Sequence, residues 1–179
     1  MTHDNGAILC HNHLWVLIGL LMIKITGSYE LEAAREIVWP RIYDPVSLME
    51  LIPGCQRLEK IGVDEYSGQI QIGVAGVSGL YDMSVRVVDQ APPAYCRFEG
   101  EVSGATGRIN GQALFQLKEV KGNSQITYEA QAIITGALAK LSPRFIEGTV
   151  QALIKLGMAR LNRQLRAQLV DNANEQSKA

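Results

Sequence analysis

The sequence predicts an α+β fold in which a curved antiparallel sheet of about seven strands wraps a long C-terminal helix, with two short helices after the first strand. Three observations carry this. Between Cys55 and Thr135 the segments alternate apolar and polar residues with period two, the pattern of a sheet with one wet face. From Ile146 onward the apolar residues recur at three- and four-residue spacing, the stripe of an amphipathic helix. Aromatic residues are only 6% of the chain, while Gly, Ala and Val fill many inward positions, which leaves an apolar space between sheet and helix.

The first strand is predicted at "MIKITGSYEL", beginning at Met22, with Ile23, Ile25, Gly27, Tyr29 and Leu31 on the apolar face. Residues 1–21 then read as an extension ahead of the domain, with a short surface anchor as the alternative. The apolar run Leu14–Ile23 has ten residues, about half the ~20 a spanning helix needs, and it lacks the flanks of a signal peptide. "AAREIVWPRIYDP" (33–45) changes period and puts Ala34, Ile37, Val38 and Ile42 on one side of a short helix interrupted by Pro40. "VSLMELI" (46–52) is a second short helix, with Asp44 as its cap and Pro45 in its first turn. Pro53-Gly54 ends it.

A strand starting near Cys55 follows, then five alternating runs. Their apolar faces hold Ile70 and Ile72; Tyr81, Met83, Val85 and Val87; Cys96 and Phe98; Ile109, Ala113, Phe115 and Leu117; and Ile126, Tyr128, Ala130 and Ala132. Turn residues separate them at 76–79, 90–93, 103–107 and 121–123, with Asn110-Gly111 readable as a hairpin turn or as mid-strand. After Gly136 the long helix is predicted to about Leu169, its stripe being Ile146, Val150, Leu153, Gly157, Leu161, Leu165 and Leu169. Residues 22–170 thus form the domain and 171–179 a polar tail.

Several chemistries are disfavoured. The formal net charge of -1 gives no general affinity for nucleic acid. All three histidines (His3, His11, His13) precede the domain, so no Ser-His or Cys-His pair is available within it. The cluster Cys10-His11-Asn12-His13 is too small a ligand set to predict a metal site. Three cysteines without CxxC spacing read as reduced and intracellular. Cys55, beside a Pro-Gly turn, reads as packing rather than as a nucleophile. The glycine-rich segments "GVAGVSG" and "GATGRING" fit strand turns and bulges, not a phosphate loop. No catalytic group, metal or cofactor is predicted. The basic side of the last helix (Arg144, Lys155, Arg163, Arg166) is read as solvated, with an anionic membrane or acidic partner as the alternative.

"DPVSLMELIPGCQRLE" with Tyr66, the series Gly73/Gly76/Gly79, "VVDQAPP", "EGEVSGATG" and "ITYEAQAIITGALAKLSPR" resembles the CoxG family, the G-subunit family of carbon monoxide dehydrogenase, over roughly 22–165. Asp44, Pro45, Pro53, Gly54 and Cys55 are the most specific part of the match. The resemblance implies the helix-grip fold of the START/SRPBCC superfamily, whose members hold apolar ligands between sheet and C-terminal helix. It also implies an accessory role beside a molybdenum hydroxylase of the CO dehydrogenase type, in the cytoplasm and at the inner face of the membrane. Ser142-Pro143 departs from the glycine-containing turn of the family and suits a helix start.

The expected cavity residues are Ile70, Ile72, Tyr81, Met83, Val85, Phe98, Phe115 and Tyr128 from the sheet and Val150, Leu153, Gly157 and Leu161 from the helix. The expected ligand is lipid-like or quinone-like. Two alternatives stand beside this. One is a superfamily enzyme such as a polyketide cyclase or dehydratase, for which Tyr66, Tyr81, Tyr128 and Arg108 are the polar candidates. The other is a ligand-free assembly chaperone.

Overall fold

The computed structural model describes residues 19–176. Seven strands form one antiparallel sheet in the order β1-β7-β6-β5-β4-β3-β2. They are β1 (Leu20–Leu31), β2 (Cys55–Lys60), β3 (Glu65–Val74), β4 (Val77–Ala91), β5 (Tyr95–Gly104), β6 (Gly107–Val120) and β7 (Asn123–Gly136). Strands β2 to β7 form a meander, and β1 closes the row by pairing with β7. Two short helices, α1 (Arg35–Arg41) and α2 (Pro45–Leu51), carry the chain from one edge of the sheet to the other. A 3₁₀ turn (Ala137–Lys140) leads to the long helix α3 (Pro143–Gln176).

The alternation sorts the faces as predicted. In β4, Tyr81, Met83 and Val87 are buried while Asp82, Ser84 and Arg86 are exposed. The outer face is laced by cross-strand pairs, among them Lys24–Glu129 at 2.6 Å and Arg86–Glu99 at 3.4 Å, which contribute little in high dielectric. Asn110 and Gly111 lie mid-strand, opposite Ile133 and Ala132, so they are not a turn. The β3–β4 turn falls at Ala75-Gly76, both at positive φ, and residues 77–79 already belong to β4.

Boundaries differ from expectation at both ends. Strand β1 starts two residues before Met22, because Leu20 and Leu21 pair with Thr135 and Ile134 on β7. Helix α3 continues past Leu169 to Gln176. Residues 1–18, with the cysteine–histidine cluster and the start of the apolar run, lie outside the described residues, as do 177–179. Pro143 opens α3, and the Ser142 hydroxyl accepts from the Phe145 N–H at 3.3 Å, an N-cap.

The helix packs Ile146, Gly157, Leu161 and Leu165 inward. Leu161 and Leu165 join Leu31, Val38, Leu117 and Ile126 in one core cluster. At the other end Ile146 meets Ile23, Ile25, Ile134 and Leu138. Between the two the layers separate.

Candidate functional site

The space between the layers is an apolar cavity of about 390 Å³. Its sheet wall is Tyr66, Ile70, Met83, Val85, Phe98, Phe115 and Ile126, with Leu58 from β2. Its helix wall is Val150, Leu153, Ile154, Gly157, Met158 and Leu161. The third side comes from the α1–α2 corner: Ile42, Leu48, Leu51, Ile52 and Pro53. Leu153 both lines the cavity and is 40% exposed, so the cavity opens beside it, in the N-terminal half of α3.

The corner is held by local chemistry. The Asp44 carboxylate accepts from the Ser47 N–H at 2.9 Å and from the Ser47 hydroxyl at 2.6 Å, so it caps α2, and these bonds hold its carboxyl below the usual range. Pro45 is the first residue of α2. At the far end Gly54 adopts φ +87°, and its carbonyl accepts from the Gln71 N–H at 2.8 Å, which docks the Pro53-Gly54 turn on β3. A Cβ on Gly54 would lie 2.5 Å from the Gln71 carbonyl oxygen, so both the backbone angle and the close approach require glycine. Cys55 follows half-buried, with burial pushing its thiol pKa up, away from an activated thiolate.

Of the twelve predicted lining residues, nine line the cavity: Ile70, Met83, Val85, Phe98, Phe115, Val150, Leu153, Gly157 and Leu161. Three do not. Ile72 is on the inner face but two residues nearer the β3–β4 turn, outside the cavity lining. Tyr81 is 1% exposed, its ring lies over Gly104, and its hydroxyl is hydrogen-bonded to the Thr106 hydroxyl. Tyr128 packs its ring over Gly27, its partner in register on β1, and joins the Ile23–Ile146 cluster. The helix stripe also turns slightly from expectation. Leu153 and Leu169 are 40% and 38% exposed, Leu153 at the cavity edge, while Ile154 and Met158 take inward positions.

The polar candidates for enzyme chemistry are dispersed. The Tyr66 hydroxyl donates to the Tyr43 backbone carbonyl at 2.9 Å. Arg108 is on the outer face of β6, paired with Glu101 at 3.5 Å. Among the described residues, no carboxylate lines the cavity, no three His, Cys, Asp or Glu side chains are grouped to hold a metal ion, and no helix is long and apolar enough to cross a membrane.

A larger depression of about 710 Å³ lies on the outer face of the sheet. Glu65, Arg86, Glu99, Gln112 and Gln131 line it together with the exposed Met22, Ile61 and Ile133, and the smaller inner cavity, almost wholly apolar, is the better site for an apolar molecule.

Sequence and structure comparisons agree with this architecture. The family model for the carbon monoxide dehydrogenase G subunit (CoxG) matches residues 27–166. No curated protein matches the chain. A conserved protein from Geobacillus kaustophilus of solved structure is 31% identical, with a TM-score of 0.77, over 81% of this chain and 96% of that one. A putative uncharacterized protein from Rhizobium leguminosarum is 12% identical, with a TM-score of 0.65, over 83% of this chain and 97% of that one. The Zhui aromatase/cyclase from Streptomyces sp. R1128 is 14% identical, with a TM-score of 0.59, over 83% of this chain and 98% of that one. The last two likenesses speak to the fold alone, which is the helix-grip fold of the SRPBCC type.

Proposed function

The chain belongs to the CoxG family of carbon monoxide dehydrogenase G subunits, and from that premise we propose that it is a non-catalytic carrier of an apolar, lipid-like or quinone-like molecule. In this reading it serves a molybdenum hydroxylase of the CO dehydrogenase type as an accessory protein. It acts in the cytoplasm, with peripheral contact at the inner face of the membrane, and couples the enzyme to a membrane-soluble electron acceptor.

The observation that carries the proposal is the cavity lining. Nineteen residues surround about 390 Å³, and the only polar side-chain group among them, the Tyr66 hydroxyl, is already committed to the Tyr43 carbonyl. Protein interiors seldom leave voids much larger than a water molecule. A space this large and this apolar gives water too few partners to order it, and an apolar guest fills it better. The cyclase reading needs polar groups converging on a substrate, whereas Tyr66, Tyr81 and Arg108 are each engaged elsewhere and Tyr128 packs over Gly27, off the cavity wall. The ligand-free chaperone reading leaves the open space without a role.

The test is mass spectrometry of an organic extract from protein purified without detergent. A stoichiometric lipid or quinone, depleted in a Leu153→Trp variant that narrows the mouth, supports the carrier. An extract free of small molecules, together with failure to bind added apolar probes, overturns it. Leu153 suits this purpose better than Gly157, whose Cβ direction meets the Leu51 carbonyl oxygen rather than the lumen.

A further inference from the structure

We propose that the cavity takes single-chain amphiphiles tail first: an acyl or prenyl chain fills the interior and the polar head stays in water at the mouth. This rests on the carrier reading above and names its ligand class more narrowly.

The wall chemistry sets the direction. Helix and sheet ladders use the backbone groups of the sheet and α3 walls, and the Tyr66 hydroxyl is spent on Tyr43. A carbonyl, hydroxyl or phosphate drawn inside would give up its hydrogen bonds to water and find no replacement. At the mouth that loss does not arise, because solvent reaches the cavity edge at Leu153, which is 40% exposed.

Size points the same way. At about 30 Å³ per heavy-atom group, the volume share of a water molecule in the liquid, 390 Å³ holds roughly 13 groups. That is a straight chain of about 12 to 14 carbons, or two to three prenyl units, with no space for a ring-bearing head besides.

Among the described residues, the rival donor for an inward head is on Tyr43. The Tyr43 hydroxyl is buried without a hydrogen-bond partner, beside the Cys96 thiol. Its ring packs on Phe98 with centroids 6.1 Å apart, and Phe98, not Tyr43, lines the cavity. A head reaching for this hydroxyl would have to pass the cavity wall, of which Phe98 is part.

The experiment is calorimetric titration of the full chain, stripped of endogenous ligand, with saturated fatty acids of eight to eighteen carbons. Dodecanol, dodecyl maltoside below its micelle concentration, and dodecanedioic acid follow. Kd is expected to fall about fourfold per added methylene and to level off near 12 to 14 carbons. Dodecanol and the maltoside, whose sugar head cannot enter, should bind within about threefold of each other. The diacid, which must bury a second head, should bind more than about thirtyfold more weakly. Tyr43→Phe should leave these values within about twofold. If the maltoside fails while dodecanol binds, or if Tyr43→Phe weakens binding about tenfold, the head points inward and the proposal is wrong. If no probe of any length binds, the carrier reading falls and takes this inference with it.

Discussion

Gly157 and Gly148 sit on the same helix, nine residues apart, and substitution with alanine should move stability in opposite directions. In a helix interior Gly→Ala is worth about 1 kcal/mol of stabilisation, from reduced unfolded-state entropy and better propensity. At Gly148 a Cβ would meet nothing within 4 Å, so that gain should appear nearly whole. At Gly157 the same Cβ would sit 2.7 Å from the Leu51 carbonyl oxygen. The clash is with backbone, so no side-chain rotation relieves it. Either α2 or α3 must retreat by several tenths of an ångström. Such a shift strains the bond from Arg160 to the Glu50 carbonyl, 3.0 Å long, and the neighbouring Gln164–Glu50 contact. Overpacking of this kind costs about 1–3 kcal/mol, which outweighs the propensity gain. The two variants should therefore differ by about 2 kcal/mol, or roughly 4–8 °C in Tm for a chain of this size. Urea and thermal unfolding measure it directly. A Gly157→Ala protein as stable as Gly148→Ala would mean that α2 does not rest on α3 at this point, and the corner's place as a cavity wall would be refuted with it.

Asp44→Ala should cost about 1 kcal/mol by uncapping α2. Because the folded-state pKa of Asp44 is lowered from 3.8, the part of the difference that comes from its charge should be complete above about pH 5 and be lost as pH falls through the lower folded value; unfolding curves from pH 2 to 7 check it. In a Cys10→Ser background, Cys55 should react with a maleimide more slowly than a free thiol at pH 8, since burial raises its pKa. Cys96, fully buried with its pKa pushed up to about 11, should react only on unfolding, and rapid native labelling of Cys96 would contradict the packing.

The parts of the fold legible in the sequence are those that follow from periodicity. Period two assigns each strand residue to a face, so the alternation alone identifies Met83, Val85, Phe98 and Phe115 as inward. Period does not say how far along the strand the helix reaches. Ile72, Tyr81 and Tyr128 are on the right face but outside the cavity: Tyr81 and Tyr128 sit opposite the lining residues Ile70 and Phe115, with their rings laid over Gly104 and Gly27. A signal for the two tyrosines is present in the form of Gly27 and Gly104, glycines that notch the adjacent strand beneath each ring, but it becomes readable only once register is known. On the helix, apolar residues also occupy the wet side, where Phe145 and Leu156 are exposed, so the stripe can be drawn through Leu153 as easily as through Ile154. The lining contributed by Leu48, Leu51 and Ile52 is not legible, because their spacing in a seven-residue helix says only that one side is buried, not against what.

That corner joins the stability of the fold to the site. Helix α2 is too short to persist by propensity, since isolated helices shorter than about 12 residues are marginal in water. It exists because Asp44 caps one end, Gly54 ties the other to Gln71 of β3, and Gly157 lets Leu51 rest against α3. The same segment supplies five of the cavity's nineteen wall residues, Ile42 to Pro53. A guest in the cavity would lie against α2 from within, while cap, turn and glycine hold it from outside. Ligand occupancy and corner stability are therefore linked quantities. Any molecule that binds the folded cavity and not the unfolded chain stabilises the corner by mass action, and loosening the corner must weaken that molecule's binding.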